Sequence, residues 1–228
     1  MARGEIGFVG LGIMGRPMVR NLMKADYAVT VYDIVAEAVE EMATEGATPA
    51  SSAAEVASKN SIVITMVPDS PQSEAAILGP GGVLEGASEG DTVIDMSSIA
   101  PASSKKIGES CNAAGVNFLD APVSGGETGA IEGTLAVMVG GDKEVFDKNY
   151  DMLTAMSGSI VLCGGHGAGN TTKLANQIIV AGNIAALGEA LVLAKKSGID
   201  PKVVFEAIRG GLAGSTCLLY TSPSPRDS

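Results

Sequence analysis

The sequence predicts an α/β protein: a doubly wound parallel sheet, then a long helix and the start of an all-helical second domain. Three observations predict it. Short β-rich apolar runs alternate with helically spaced apolar residues through about residue 164. A glycine-rich turn joins the first run to the first helix. A stretch almost free of breakers, 168–197, then changes the character of the chain.

Each element has its own signal. Residues 5–9 are a short apolar run ending at Gly10. Over 14–25, Met14, Met18, Leu22 and Ala25 fall on one helical face. A second β-rich run, 28–32, precedes a helix over 36–44. A smaller helix over 52–59 takes Ser51 or Ser52 as its N-cap. Residues 61–67 form the continuous β-branched run that a strand buried on both faces needs. The alternation repeats with a helix at 71–78, a strand at 92–95 and a helix at 101–113. Pro101 opens that helix, where its fixed φ fits. Strands follow at 117–120 and 135–139, then a helix over 143–156 capped by Asp142, and a last strand at 160–163. Such alternation implies a parallel sheet covered on both faces, a Rossmann-type arrangement. Gly198 and Pro201 end the long helix, and 201–209 reads as another short one. Residues 217–228 contain two Ser-Pro steps and no periodicity, and read as a disordered tail. The expected division is 1–164, a dinucleotide-binding domain; 165–216, the start of a helical domain; and 217–228, a tail.

Composition narrows the function. Apolar residues are 46% of the chain and charged residues 18%, a globular balance. The formal net charge of −11 argues against a nucleic-acid partner, which needs clustered Lys and Arg. Cys111, Cys163 and Cys217 are widely spaced, and His166 is the sole histidine, so no disulfide framework, metal site or Cys–His pair is expected. No apolar N-terminal leader is visible, and no run approaches the ~18 apolar residues of a membrane span. The expectation is a cytoplasmic protein with no membrane partner.

Gly10-Leu11-Gly12-Ile13-Met14-Gly15 is G-x-G-x-x-G, placed between a strand and an amphipathic helix. Gly10 permits the tight turn, Gly12 lets a pyrophosphate approach, and Gly15 lets the helix pack on the strand. The helix N-terminus offers free N–H groups and a partial positive charge to phosphates. Asp33 ends the second strand, 18 residues after Gly15. A carboxylate there accepts bonds from ribose hydroxyls and repels a 2′-phosphate. No Arg follows at 34–36, so the cofactor is expected to be NAD (NADH) rather than NADP. The other reading of Asp33 is an ordinary strand-end acid capping the next helix.

At this point the sequence resembles the β-hydroxyacid dehydrogenase family. Phe8-Val9-Gly10-Leu11-Gly12-Ile13-Met14-Gly15, continuing to Pro17-Met18 and Asn21-Leu22, is similar to that family's N-terminal signature. Asp95-Met96-Ser97-Ser98 resembles its loop near the nicotinamide, and Asp120-Ala121-Pro122-Val123-Ser124-Gly125-Gly126 its substrate-binding segment. Gly167-Ala168-Gly169-Asn170-Thr171-Thr172-Lys173-Leu174-Ala175-Asn176-Gln177 resembles its catalytic helix. Within the family, 95–101, 137–143 and 207–216 are near-matches to the subgroup that reduces 2-hydroxy-3-oxopropionate to glycerate. The resemblance implies that the cofactor also meets Ile13, Met14, Val67, Pro68 and Ser98. It implies a small carboxylate aldehyde or hydroxyacid as substrate, and a homo-oligomer for the full-length parent. The alternatives are a 3-hydroxyisobutyrate or other β-hydroxyacid dehydrogenase, or a dinucleotide-binding module without turnover.

The implied roles make chemical sense. Reduction of an aldehyde delivers hydride to carbon and a proton to the developing alkoxide, so a proton-bearing cation near that oxygen helps twice. Lys173 has that role by resemblance; without it, it would read as a solvent-facing helix lysine. Asn176 and Gln177, at i+3 and i+4, share its face, and either amide could orient it or bind a substrate hydroxyl. Gly125 and Gly126 offer open N–H groups to a carboxylate, with the Ser124 hydroxyl beside them.

The likeness stops at Thr216, whereas family members continue through several more helices. The last segment, from Cys217 to Asp227, reads as an artefactual tail on a truncated frame. Ile178, Ile179, Ile184, Leu187, Leu191 and Leu193 are then expected to form an uncovered apolar face.

Overall fold

The computed structural model describes residues 3–215 and Leu218. The elements are β1 (Gly4–Val9), α1 (Gly15–Lys24), β2 (Tyr27–Tyr32), α2 (Ala36–Thr44), β3 (Thr48–Pro49), α3 (Ala53–Lys59), β4 (Ile62–Thr65), α4 (Ser70–Leu78), α5 (Val83–Gly86), β5 (Thr92–Asp95), α6 (Pro101–Ala113), β6 (Asn117–Asp120), β7 (Val123–Ser124), α7 (Gly126–Glu132), β8 (Leu135–Gly141), α8 (Lys143–Leu153), β9 (Ser157–Gly164), α9 (Ala168–Lys196) and α10 (Pro201–Ile208). The chain forms two compact units, one ending at Lys173 and the other beginning at Leu174.

In the first unit the sheet runs β3-β2-β1-β4-β5-β6-β8-β7, with β9 on β8. Its first six strands are parallel and follow the order 3-2-1-4-5-6 of dinucleotide-binding sheets, reversing between β1 and β4. Strand alternation builds two cores. Phe8, Ile64, Ile94 and Leu119 point to the face shared with Met18 and Leu22 of α1. Val9, Val63, Val93 and Phe118, their sequence neighbours, point to the face shared with Val56 of α3 and Ile107 of α6. A Cβ added at Gly7 would overlap Val56, so α3 lies directly on β1.

The sheet is mostly parallel, as expected, with one departure: β8 pairs antiparallel with both β6 and β7. The link from β7 to β8 covers only residues 125–134, too short for a parallel crossover of about a dozen residues or more. The chain therefore turns back, and α8 then returns it to make β9 parallel to β8. Four elements, β3, α5, β7 and α7, were absent from the sequence reading. Two are two-residue strands, one is a single helical turn, and α7 carries Gly126 and Gly129 in seven residues, so none shows a full period.

Capping follows local chemistry. The Ser52 hydroxyl accepts the Glu55 N–H at 3.0 Å, while the Glu55 carboxylate accepts the Ser51 N–H at 2.7 Å. Asp142 accepts the N–H groups of Glu144 and Val145.

In the second unit α9 continues to Lys196 and ends in a turn at Gly198, φ 78°, where the Ile199 N–H reaches the Ala194 carbonyl. Asp200 caps α10, and Ala194 and Phe205 are buried. Ile178, Ile179, Ile184 and Leu193 are exposed, as expected, while Leu187 and Leu191 are half-buried. An 18-residue window of α9 has mean hydropathy 1.7, so by length and composition this helix could cross a membrane. The expectation of no membrane-length apolar run misses this window, because Ile, Leu and Val carry its hydropathy while Gly, Asn and Glu break up any continuous apolar run. Apart from Leu218, the tail expected at 217–228 lies outside the described residues.

Candidate active site

The carboxyl ends of β1, β4, β5 and β6 lie side by side, and the loops leaving them carry most of the residues singled out by sequence. The glycine turn leaves β1. Gly10 has φ 101°, and a Cβ there would overlap the Met66 carbonyl oxygen after β4. A Cβ at Gly15 would overlap the Gly10 carbonyl, so α1 sits as close to β1 as backbone allows. A Cβ at Gly12 meets no protein atom within 4 Å. This is the pattern a pyrophosphate cradle requires: two glycines forced by protein packing, and one facing open space. The turn thus fits a dinucleotide.

Asp33, at the end of β2, ties the turn down. One carboxylate oxygen accepts the Leu11 N–H at 2.5 Å and the other accepts the Val35 N–H at 2.8 Å. The Leu11 side chain is in the core, so the turn presents only its backbone there. Ile13 is 61% exposed and Ile34 is 90% exposed, apolar surface flanking the turn and Asp33. The nearby cations are offset: Arg16 pairs with Glu41 at 2.6 Å, and Arg20 with Glu41 and Glu45.

The loops after β4 and β5 are joined by side chains. The Ser97 hydroxyl accepts the Val67 N–H at 2.9 Å. Asp95, fully buried, accepts bonds from the Thr65 hydroxyl and the Ser97 N–H through one oxygen. Its other oxygen and the Ser73 hydroxyl have no hydrogen-bond partner among the described residues. Burial raises the Asp95 pKa, against the bonds from Ser97 and Thr65 that favour its charge. Pro68 and Ser98 are exposed beside these loops.

The start of α9 is seated on β6. One Asp120 oxygen accepts the Gly167 N–H at 2.7 Å and the other accepts the Asn170 N–H at 2.9 Å, so a carboxylate satisfies two of the helix's free donors. Burial raises the Asp120 pKa, opposed by these N–H groups. Cβ atoms at Gly140 or Gly169 would overlap Asp120 or adjacent carbonyls, so only glycine permits the fit. The Asn170 carboxamide, 1% exposed, accepts the Ile99 N–H at 2.9 Å and donates to the Ser104 hydroxyl at 3.0 Å. Lys173, three residues on, is half-buried, and burial lowers its pKa.

Contacts therefore run without a break from Gly10 to Met66, Val67 to Ser97, and Ile99 to Asn170, one turn from Lys173. Ser124 is half-buried, with Gly125 and Gly126 exposed at φ 143° and 63°. Asn21, inside the N-terminal signature, donates to the Ala130 carbonyl at 2.6 Å and so ties α1 to α7, the helix that follows Gly125. Asn176 and Gln177 belong to the second unit, where they bond each other at 3.1 Å. Asp95, Asp120, Asn170 and Asn21 are the site residues that sequence reasoning missed, although each lies inside a motif it quoted.

Comparison with known proteins bears on this geometry. Residues 5–165 match the family model for the NAD binding domain of 6-phosphogluconate dehydrogenase. Residues 167–225 match the model for the NAD-binding region of NADP-dependent 3-hydroxyisobutyrate dehydrogenase. The 2-hydroxy-3-oxopropionate reductase of Escherichia coli is 45% identical over 214 residues, 94% of this chain and 73% of that protein. The chain belongs to the β-hydroxyacid dehydrogenase family. The NAD-dependent L-serine dehydrogenase of Pseudomonas aeruginosa is 38% identical over 97% of this chain and 74% of its own. The solved 3-hydroxyisobutyrate dehydrogenase of Mycobacterium tuberculosis with L-serine superposes with a TM-score of 0.85 at 34% identity, over 99% of this chain and 77% of that one. The Rossmann-type fold and membership among nucleotide-dependent oxidoreductases of hydroxyacids are thereby established.

Proposed function

We propose that this β-hydroxyacid dehydrogenase reduces 2-hydroxy-3-oxopropionate to glycerate with NADH, Lys173 supplying the proton. The observation that carries the reading is the seating of Lys173's helical turn against the 97–99 loop and the end of β6. Bound NADH supplies the hydride. Lys173 holds its proton on Nζ, and partial burial makes that proton leave more readily than from an exposed lysine, as a general acid needs. The Ser124 hydroxyl and the Gly125 and Gly126 N–H groups take the substrate carboxylate. Asn176 or Gln177 binds the substrate hydroxyl or orients Lys173. Val67, Pro68, Ser98, Ile13 and Met14 line the cofactor.

The choice of NADH rests on Asp33, which would face a 2′-phosphate with like charge, while Arg16 and Arg20 are committed to Glu41 and Glu45. The choice of substrate rests on the 45% identity to the E. coli reductase and on the 95–101 and 207–216 segments. A second reading, oxidation of a 3-hydroxyisobutyrate- or serine-type hydroxyacid, is favoured by the M. tuberculosis structure and the P. aeruginosa relative.

A panel that reduces 2-hydroxy-3-oxopropionate with NADH or NADPH and oxidises 3-hydroxyisobutyrate, serine and glycerate with NAD+ or NADP+ decides between the readings; preference for 3-hydroxyisobutyrate over glycerate, or for NADPH over NADH, rejects the one put first. Lys173→Ala should lower turnover by about 10²-fold or more, the usual worth of a general acid, with NADH affinity changed less than about threefold. Turnover retained within tenfold removes Lys173 from the role.

A further inference from the structure

We propose that Asn170 is the positioning residue for Lys173: its carboxamide fixes the first turn of α9 to the loop after β5, and so sets where the ammonium group stands at the carboxyl edge of the sheet. The inference rests on the reading of Lys173 as proton donor.

Asn170 has a partner for each polar atom. Its backbone N–H donates to Asp120, its Oδ1 accepts the Ile99 N–H, and its Nδ2 donates to the Ser104 hydroxyl. The loop after β5 and the first turn of α6 therefore meet on one side chain, and the end of β6 meets the backbone of the same residue, which is 1% exposed. Asp120 holds the helix start to β6 only. Asn170 alone among these residues joins the helix to the 97–99 loop, the segment whose Ser98 is assigned to the cofactor. Lys173 lies three residues on, about 4.5 Å along the helix axis, so a shift of the Asn170 turn carries directly to it. Other side chains fit the position poorly. Leucine leaves the buried Ile99 N–H without an acceptor, and aspartate puts a charge at a buried position and loses the N–H donor to Ser104.

The test uses the full chain with Asn170→Ala, Lys173→Ala and the double variant. Asn170→Ala should lower kcat about 30- to 100-fold, the cost of an ~1 Å misplacement, with KM for NADH within about threefold. Combined with Lys173→Ala it should cost less than about threefold more, because nothing remains to be positioned. A second readout needs no turnover: lysines are reductively methylated with ¹³C-formaldehyde, and the Lys173 signal, assigned by its loss in Lys173→Arg, is titrated. In Asn170→Ala with an unchanged circular dichroism spectrum, that signal should titrate upward, toward the ordinary lysine range. An unchanged titration, or losses that multiply in the double variant, overturns the role of Asn170 while leaving that of Lys173 standing. Full turnover in Lys173→Ala instead overturns the proton-donor reading itself. Should Asn170→Ala not fold, Ser104→Ala, which removes one of the three bonds, carries the same titration, and a signal that does not move upward counts against the proposal.

Discussion

The three glycines of the turn after β1 should separate folding from cofactor binding. At Gly12 an added methyl meets nothing within 4 Å, and the φ of this residue is not in the left-handed region. Gly12→Ala should therefore leave the stability of the unliganded protein unchanged, or raise it by about 0.4–1 kcal/mol by restricting the unfolded chain. The same methyl occupies the space a pyrophosphate needs. Losing one hydrogen bond from backbone N–H to a charged oxygen costs about 1.5–3 kcal/mol, which is about 10- to 150-fold in Kd for NADH. Gly15→Ala should do the reverse in order of cause. Its methyl overlaps the Gly10 carbonyl, which is backbone and cannot swing aside, so α1 must lift from β1. Overpacking of this kind costs about 1–3 kcal/mol and lowers the melting temperature before any ligand is added. Urea unfolding of the unliganded proteins gives the first quantity, and quenching or transfer of NADH fluorescence gives the second. Wild-type NADH affinity in Gly12→Ala would refute the placement of the cofactor on this turn. Gly12→Ala as unstable as Gly15→Ala would refute the packing argument.

Other outcomes follow from the same structure. Because Lys173 must be protonated to act, and its pKa is lowered by burial, kcat/KM for reduction should fall with rising pH below the ordinary lysine pKa of about 10.4, whereas the oxidation rate should rise over the same window; pH profiles in both directions check it. Asp95 has a raised pKa in the folded protein, so the native state binds more protons than the unfolded one and stability is lost as pH climbs through and above the unfolded carboxylate pKa, about 3.9. Asp95→Asn should remove that loss and put a donor beside the unpaired Ser73 hydroxyl, so that melting temperature falls less between pH 4 and pH 7 than in the parent; an equal or steeper fall contradicts it. Joint Asp33→Asn and Ile34→Arg should shift the NADH-to-NADPH preference by at least about tenfold, read as a ratio of kcat/KM, because a like charge is removed and a counter-charge added. Cys111, buried and with its thiol pushed up to about 12, should resist a thiol reagent in the folded protein while Cys163 reacts.

The fold was legible because the strands announce themselves twice. Val63-Ile64 and Val93-Ile94 are apolar on both faces, as only strands covered by helices on both sides need to be, and each lies between helical periods. The nucleotide turn was legible because its chemistry is local: six consecutive residues hold it all. The reversal at β8 was not, since strand direction depends on how far residues 125–134 can reach and leaves no mark on periodicity. The seat of α9 was hidden for another reason. Asp120 and the residues it holds are 47 to 50 positions apart, and no local pattern pairs them. Asking which group satisfies the first N–H donors of a helix whose start packs on a sheet would have pointed to a nearby acid, and Asp120 stood in a quoted motif.

That seat also limits how the protein can be redesigned. At Gly140 and Gly169 the obstacles to any side chain are main-chain carbonyls and a carboxylate already engaged in two bonds, none of which can yield. A library meant to widen substrate scope has to freeze both positions and draw its diversity from exposed positions outside the packed seat, such as Thr128 and Ile131.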